Sequence, residues 1–206
     1  MAIGDINNDG LSDLYFVSNQ GENKLYLNKG SLKFEDISEK ANVNSKSDWN
    51  TGATMVDINN DGLLDIYLCS VSGLLDFKGH NELFINNGDG SFTEQIDIGL
   101  VNVGYSTVDW GDYNNDGYLD LFLAESSKNE VWLNNGTGTF IDSNQNIGGN
   151  VNSLGVDAAD IDNDGDIDLL VCNEGGRARL YRNDFKIKGN WLNIRAIDSE
   201  LNRDAY

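Results

Sequence analysis

Short apolar runs alternate along this chain with polar stretches rich in glycine, asparagine and aspartate. One set, Leu14-Tyr15-Phe16-Val17, Ile66-Tyr67-Leu68-Cys69, Leu121-Phe122-Leu123-Ala124 and Leu169-Leu170-Val171-Cys172, follows acidic stretches; Thr54-Met55-Val56 leads into one. A second set has an aromatic centre and a terminal asparagine: Leu25-Tyr26-Leu27-Asn28, Leu83-Phe84-Ile85-Asn86, Val131-Trp132-Leu133-Asn134 and Leu180-Tyr181-Arg182-Asn183. Glycine-rich turns, as in Asn87-Gly88-Asp89-Gly90 and Asn135-Gly136-Thr137-Gly138, then lead to Phe92 and Phe140. Runs this short, bounded by turn-forming residues, predict strands, and Asn-Gly permits the positive backbone angles of tight hairpins. Helix is expected only as a turn near residues 38–42 and another near residues 74–78. Proline is absent, so glycine and asparagine make nearly every turn.

The acidic stretches share one pattern, D-x-[ND]-x-D-G-x-x-D, starting at Asp5, Asp57, Asp112 and Asp160 and so spaced by 52, 55 and 48 residues. Side-chain oxygens at positions one, three, five and nine converge when a glycine at position six allows a sharp turn. Those residues are Asp5, Asn7, Asp9 and Asp13; Asp57, Asn59, Asp61 and Asp65; Asp112, Asn114, Asp116 and Asp120; and Asp160, Asp162, Asp164 and Asp168. With a position-seven carbonyl from Leu11, Leu63, Tyr118 or Asp166, plus water, each set suits a hard divalent cation, and Ca2+ is expected at all four. The fourth site has one more carboxylate than the others and is expected to bind most tightly if rigidity is equal. An EF-hand is excluded by context. It needs flanking helices and a glutamate at position twelve, where this chain has Phe16, Leu68, Leu123 and Val171 within predicted strands.

Four strands per unit, repeated about every fifty residues, predict an all-β protein whose units are the antiparallel blades of a β-propeller. Each blade carries its cation loop between its first two strands. The expected blades are residues 1–45, 46–100, 101–150 and 151–197, with residues 191–197 supplying the last strand of the fourth. The chain has 206 residues, 39% of them apolar, enough to bury a core. Net charge is −20, and side-chain ligand positions one, three, five and nine of the loops hold 13 of the 34 acidic residues. Such charge disfavours nucleic acid and anionic membrane as partners. No apolar run is long enough to span a bilayer. No signal peptide precedes the first repeat, which opens in mid-strand, so its absence does not argue for the cytoplasm.

Strand, cation hairpin, strand, then N-x-L-[YFW]-x-N with N-G-x-G-x-F resembles the FG-GAP/VCBS family of calcium-binding β-propeller repeats, over about residues 2–185. Residues 190–206, beginning Asn190-Trp191-Leu192, resemble the opening of the ASPIC/UnbV segment that follows such repeats in secreted proteins similar to cartilage acidic protein. The resemblance implies an extracellular or cell-surface location and a role in adhesion or in binding a protein or glycan on an exposed rim, with no known catalytic activity. Family propellers commonly have about seven blades. Four units here imply a fragment, closure at four, or a homodimer through open blade edges.

Other candidate chemistry is sparse. His80, the sole histidine, reads as a solvated loop residue, and Cys69 and Cys172 as core thiols at equivalent strand positions. Paired acids outside the loops would mark the alternative, a carbohydrate-binding or polysaccharide-processing domain. Trp132 aligns with Tyr26, Phe84 and Tyr181 and reads as blade core, while Trp49 and Trp110 are candidates for lining a rim. Asn135-Gly136-Thr137 is a formal glycosylation sequon that its turn also explains.

Overall fold

A computed structural model describes residues 1–19, 21–45, 47, 49–71, 79–100, 107–124, 128–145, 147 and 153–184, and the backbone of 197–198 and 203–204. Its strands form successive antiparallel meanders. The first sheet is β1 (Ala2–Gly4), β2 (Asp13–Phe16), β3 (Lys24–Asn28) and β4 (Phe34–Asp36), hydrogen-bonded in that order. A helical turn, α1 (Ser38–Ala41), closes on left-handed Asn42 and leads to the second sheet. That sheet is β5 (Asn50–Val56), β6 (Asp65–Ser70), β7 (Glu82–Asn86) and β8 (Phe92–Glu94). The third is β9 (Thr107–Gly111), β10 (Asp120–Ala124), β11 (Asn129–Asn134) and β12 (Phe140–Asp142). In the fourth, β13 (Ser153–Ala159), β14 (Asp168–Asn173) and β15 (Arg179–Tyr181) are described. The fourth strand expected there, 191–197, lies outside the described residues apart from Ile197, which opens a ribbon of β16 (Ile197–Asp198) and β17 (Arg203–Asp204). The helical turn expected near 74–78 also lies outside them.

The two-residue period of a strand explains how the sheets stack. Ile66 and Leu68 of β6 face one way, packing with Tyr15 and Leu25 of the first sheet. Tyr67 and Cys69 face the other, packing with Leu121, Leu123 and Trp132 of the third. Phe122 and Ala124 of β10 then pack with Leu169 and Val171 of the fourth. Every residue of β6 and β10 is buried, and because each strand is covered on both faces, the runs Ile66–Cys69 and Leu121–Ala124 are apolar at every position rather than at alternate ones. Each fully buried Leu, Ile or Phe contributes about 1.5–3 kcal/mol. Face-to-face antiparallel sheets of four strands, with β1 beside β5 and β9 beside β13, are the blades of a β-propeller.

At the two outer sheets the alternation shows at the surface. Ile3, Phe16 and Phe34 are exposed on the first sheet, and Leu154, Leu170 and Leu180 on the fourth. Cys172 falls on that outer face. It is exposed, which corrects its reading as a core thiol; Cys69, at the equivalent position, is covered by the third sheet. Trp110 is corrected in the other direction. It packs edge-on against Tyr67, ring centroids 5.2 Å apart, and tilts on Phe140 at 6.1 Å, so it lies between blades rather than on a rim.

Candidate metal loops and their rim

The four D-x-[ND]-x-D-G-x-x-D loops all join the first strand of a blade to the second, and their backbones repeat. The position-four residues Asn8, Asn60, Asn115 and Asn163 have φ of 57°, 57°, 59° and 60°. The position-six glycines Gly10, Gly62, Gly117 and Gly165 have φ of 83°, 85°, 92° and 93°. Among the described residues, a Cβ on Gly10, Gly62 or Gly117 would meet nothing within 4 Å. Conformation, not space, therefore demands glycine there.

The acidic side chains hold the turn from inside. The position-one aspartate accepts from the position-five amide through Oδ1 and from the glycine amide through Oδ2: Asp9 N at 3.1 Å and Gly10 N at 2.7 Å for Asp5, with the same pair on Asp57, Asp112 and Asp160. The position-five aspartate accepts the position-seven amide. In the first three loops the position-three asparagine donates its Nδ2 to the position-five aspartate, at 2.9–3.1 Å.

Position nine differs in kind. Asp13, Asp65, Asp120 and Asp168 are buried, the first three with no exposure. One oxygen accepts the position-two amide, from Ile6, Ile58, Tyr113 and Ile161 at 2.9–3.1 Å. The other accepts the amide of Asn28, Asn86, Asn134 or Asn183, where the third strand ends, at 2.7–2.8 Å. This aspartate thus staples the loop to its blade while standing next to the other donors. Burial, opposed by those two amides and reinforced by the charges of Asp61 and Asp57, pushes the Asp65 carboxyl up to about 6. Asp120 is raised to about 6 for the same reasons, with Asp116 and Asp112 as its neighbours, and Asp13 is also raised by burial. Asp5 is lowered: desolvation acts against it, but amides from Gly10, Asp9, Asn7 and Asn8 outweigh that.

The donor set fits a hard cation, because every candidate ligand is an oxygen. In the fourth loop one oxygen each from Asp160, Asp162 and Asp168 lie within 4.8 Å of one another. Desolvation and the charges of Asp164 and Asp168 raise the Asp162 carboxyl, and Arg182 opposes the shift. The Arg182 guanidinium is 3.8 Å from Asp162 and 2.5 Å from Asp184, a positive charge beside the loop richest in carboxylates.

Sequence reasoning missed the groups that connect the loops. Asn8 Nδ2 donates to the Gly62 carbonyl at 2.9 Å, and Asn60 to that of Gly117 at 2.8 Å. Asn115 donates to the Asp166 side chain at 2.9 Å. Asp166, predicted to offer its carbonyl to the cation, therefore also receives the preceding loop through its carboxylate. A second row lies deeper. Asn86 Nδ2 donates to the Ile6 carbonyl, Asn134 to that of Ile58 and Asn183 to that of Tyr113, at 2.8–2.9 Å. The recurring Asn-Asn pair inside the motif and the terminal asparagine of the third strand carried this signal.

Outside the loops, Asp109 on β9 is raised by burial first and then by the charge of Asp157 on β13. The two stand three residues before Asp112 and Asp160. Between the third and fourth blades a cleft of about 440 Å3 is lined by residues including Tyr113, Leu133, Leu169, Tyr181 and Arg182. The buried Tyr113 hydroxyl and Trp110 Nε1 have no hydrogen-bond partner among the described residues. Asn135 Oδ1 accepts the Thr137 amide and hydroxyl, as its turn reading requires.

Comparisons with known proteins bear on the fold and the repeat. A 126-residue stretch, 59% of the chain, is 29% identical to cartilage acidic protein 1 of Xenopus tropicalis, of which it spans 18%. An Agrocybe aegerita lectin, solved for its recognition of non-reducing terminal N-acetylglucosamine, superposes on 88% of the chain and 48% of its own with a TM-score of 0.57 and 21% identity. The Photorhabdus luminescens Tc holotoxin pore superposes on 92% of the chain and 9% of its own, with a TM-score of 0.51 and 17% identity. The two structural likenesses are of fold alone, and the chain spans less than half the length of each of the three proteins. The FG-GAP-like repeat matches residues 5–68, 71–123 and 112–171, so the chain belongs to the FG-GAP-like repeat family.

Proposed function

We propose that this chain is a calcium-binding interaction module of an extracellular protein, with a structural Ca2+ in each of its four loops. The observation that carries the reading is the coincidence of two patterns on one rim. Oxygen donors recur at fixed positions in every loop, and an asparagine from each of the first three loops grips the next. Bound Ca2+ would neutralise carboxylates that burial and mutual repulsion otherwise drive toward protonation. The residues then act as a rigid frame. Position-nine aspartates fix loop to blade, the asparagines fix blade to blade, and the rim presents one surface to a protein or glycan ligand. Extracellular calcium modules bind at about 10^-4 to 10^-3 M, matching millimolar calcium outside cells. The similarity to cartilage acidic protein 1, of which the matched stretch spans 18%, supports the extracellular location; residues 190–206 are read as the start of an ASPIC/UnbV-like segment on their own resemblance.

The test is thermal unfolding in millimolar Ca2+ against excess chelator. Each site saturated at 100 times its Kd adds about 2.7 kcal/mol when the unfolded chain binds none. A large upward shift is expected. Identical melting, with chelation verified, would remove the calcium part of the reading.

Two further readings each rest on a specific observation. The lectin likeness and the cleft between the third and fourth blades favour glycan binding; titration with N-acetylglucosamine and a panel of glycans tests it. Exposed apolar residues on both outer sheets favour a homodimer that completes a ring. Sedimentation separates dimer from monomer.

A further inference from the structure

The rim opposite the calcium loops carries its own recurring set of charges. β6 runs away from its loop and β7 returns, so the residues that open β7 lie at the far end of the blade. Side chains two and four residues before the aromatic of the third strand share its face. The residue paired with that aromatic across the fourth strand is Asp36, Glu94 or Asp142. These three positions hold Glu22, Lys24 and Asp36 in the first blade, His80, Glu82 and Glu94 in the second, and Lys128, Glu130 and Asp142 in the third.

In the first blade Lys24 Nζ stands 3.3 Å from Glu22 and 3.6 Å from Asp36. In the third, Lys128 contacts the buried Glu130. This end of the blade is therefore a place where a cation meets carboxylates. The second blade keeps two carboxylates and puts an imidazole where the third has its lysine. One nitrogen of His80 and one oxygen each of Glu82 and Glu94 lie within 4.8 Å of one another. A neutral imidazole is a metal ligand, which a lysine ammonium is not.

We propose that His80, Glu82 and Glu94 form a fifth metal site, taking a Zn2+-class divalent cation rather than Ca2+. Nitrogen with two carboxylate oxygens suits zinc and its first-row neighbours, and three protein ligands leave a fourth position for water. The site is built before metal arrives. Glu82 is buried and contacts the Ser45 hydroxyl, which also meets Asn50 Oδ1 at 2.9 Å. His80 is anchored through its backbone: its amide donates to Ser47 Oγ at 3.2 Å, and that hydroxyl donates back to the His80 carbonyl at 3.1 Å. The preceding Gly79 amide donates to the Val71 carbonyl at 3.0 Å, and a Cβ on Gly79 would come within 2.1 Å of that oxygen. His80 itself is exposed, so the fourth position is open to solvent.

The experiment is calorimetric titration of ZnCl2 into the protein with Ca2+ in large excess, so that the aspartate loops do not compete. One Zn2+ per chain is expected, with affinity falling at least about 10-fold in His80→Ala and in Glu94→Gln, the low end of losses seen even for outer partners of a ligand. Both variants should melt with the wild type in Ca2+ alone. Co2+ bound to the wild type should show visible bands altered by imidazole ligation and lost in His80→Ala. No Zn2+ binding in excess Ca2+, binding unchanged in His80→Ala, or Co2+ bands that ignore His80 would each overturn the proposal. His80→Ala and Glu94→Gln leave the four loops untouched, so loss of one Zn2+ in these variants reports this site and not the loops.

Discussion

Asn134 Nδ2 of the third blade donates to the carbonyl of Ile58 in the loop of the second, at 2.8 Å and fully out of solvent. The same Nδ2 lies 3.1 Å from the Leu119 carbonyl in its own blade, and Asn134 Oδ1 accepts the Gly136 amide. One side chain thereby satisfies a buried carbonyl of the second blade, a part-buried carbonyl of its own blade and the turn that follows it.

Asn134→Ala should therefore cost about 1–3 kcal/mol for the groups it leaves unpaired, read as a lowered denaturant midpoint. Asn28→Ala is the internal comparison. Among the described residues Asn28 Nδ2 bonds only the Ser12 carbonyl of its own blade, in an exposed setting. Its loss should be smaller. Equal losses would show that the bond between blades adds nothing to the turn.

Gly62→Ala should destabilise the chain by about 1–2 kcal/mol, the penalty of a left-handed backbone for a residue with a Cβ. No atom of the described residues lies within 4 Å of such a Cβ, so no clash with them adds to this. The variant should also need more Ca2+ for the same gain in melting temperature. Unchanged stability in chelator and in Ca2+ would show that the loop relaxes freely at that φ.

The pH dependence should differ in sign with and without calcium. Burial raises Asp65 and Asp120 to about 6, above their unfolded value of about 3.8, so the folded chain binds more protons between those limits. In chelator their contribution to stability is full below about 3.8 and lost as pH rises through about 6. Calcium requires both carboxylates charged. In saturating Ca2+ the same pH range should therefore see stability rise. Melting curves from pH 4 to 7 under both conditions check this; parallel profiles would sink the coupling.

Thiol labelling should divide the two cysteines. Cys172 is exposed, and burial pushes the Cys69 thiol up to about 12. A thiol reagent at neutral pH should modify one thiol in the native chain and two in denaturant, and Cys172→Ser should abolish the native reaction. Native labelling of Cys69 at the same rate would contradict the packing of the second blade on the third.

The repeat was legible because it is local. Glycine at position six is dictated by a φ that one turn imposes, and apolar runs such as Ile66 to Cys69 are dictated by a strand covered on both faces. Those constraints act over a few residues and so appear as spelling: strand order, blade architecture and the oxygen donors of each loop. Fates set by a neighbouring sheet were not legible. Cys69 and Cys172 occupy equivalent positions, yet only Cys69 has a blade over it. Trp110 looked like a rim residue until the second and third sheets closed around it. His80 looked solitary because Glu94 reaches it only through the pairing of β7 with β8. The asparagine rows were in plain view as Asn8, Asn60, Asn115, Asn86 and Asn134, but their acceptors lie 51 to 80 residues away in sequence. The sequence by itself determined the unit and its candidate chemistry, since turns and strand periodicity need only near neighbours. What each unit buries, exposes or grips was decided by tertiary structure, because those energies come from surfaces that meet only once the blades stack.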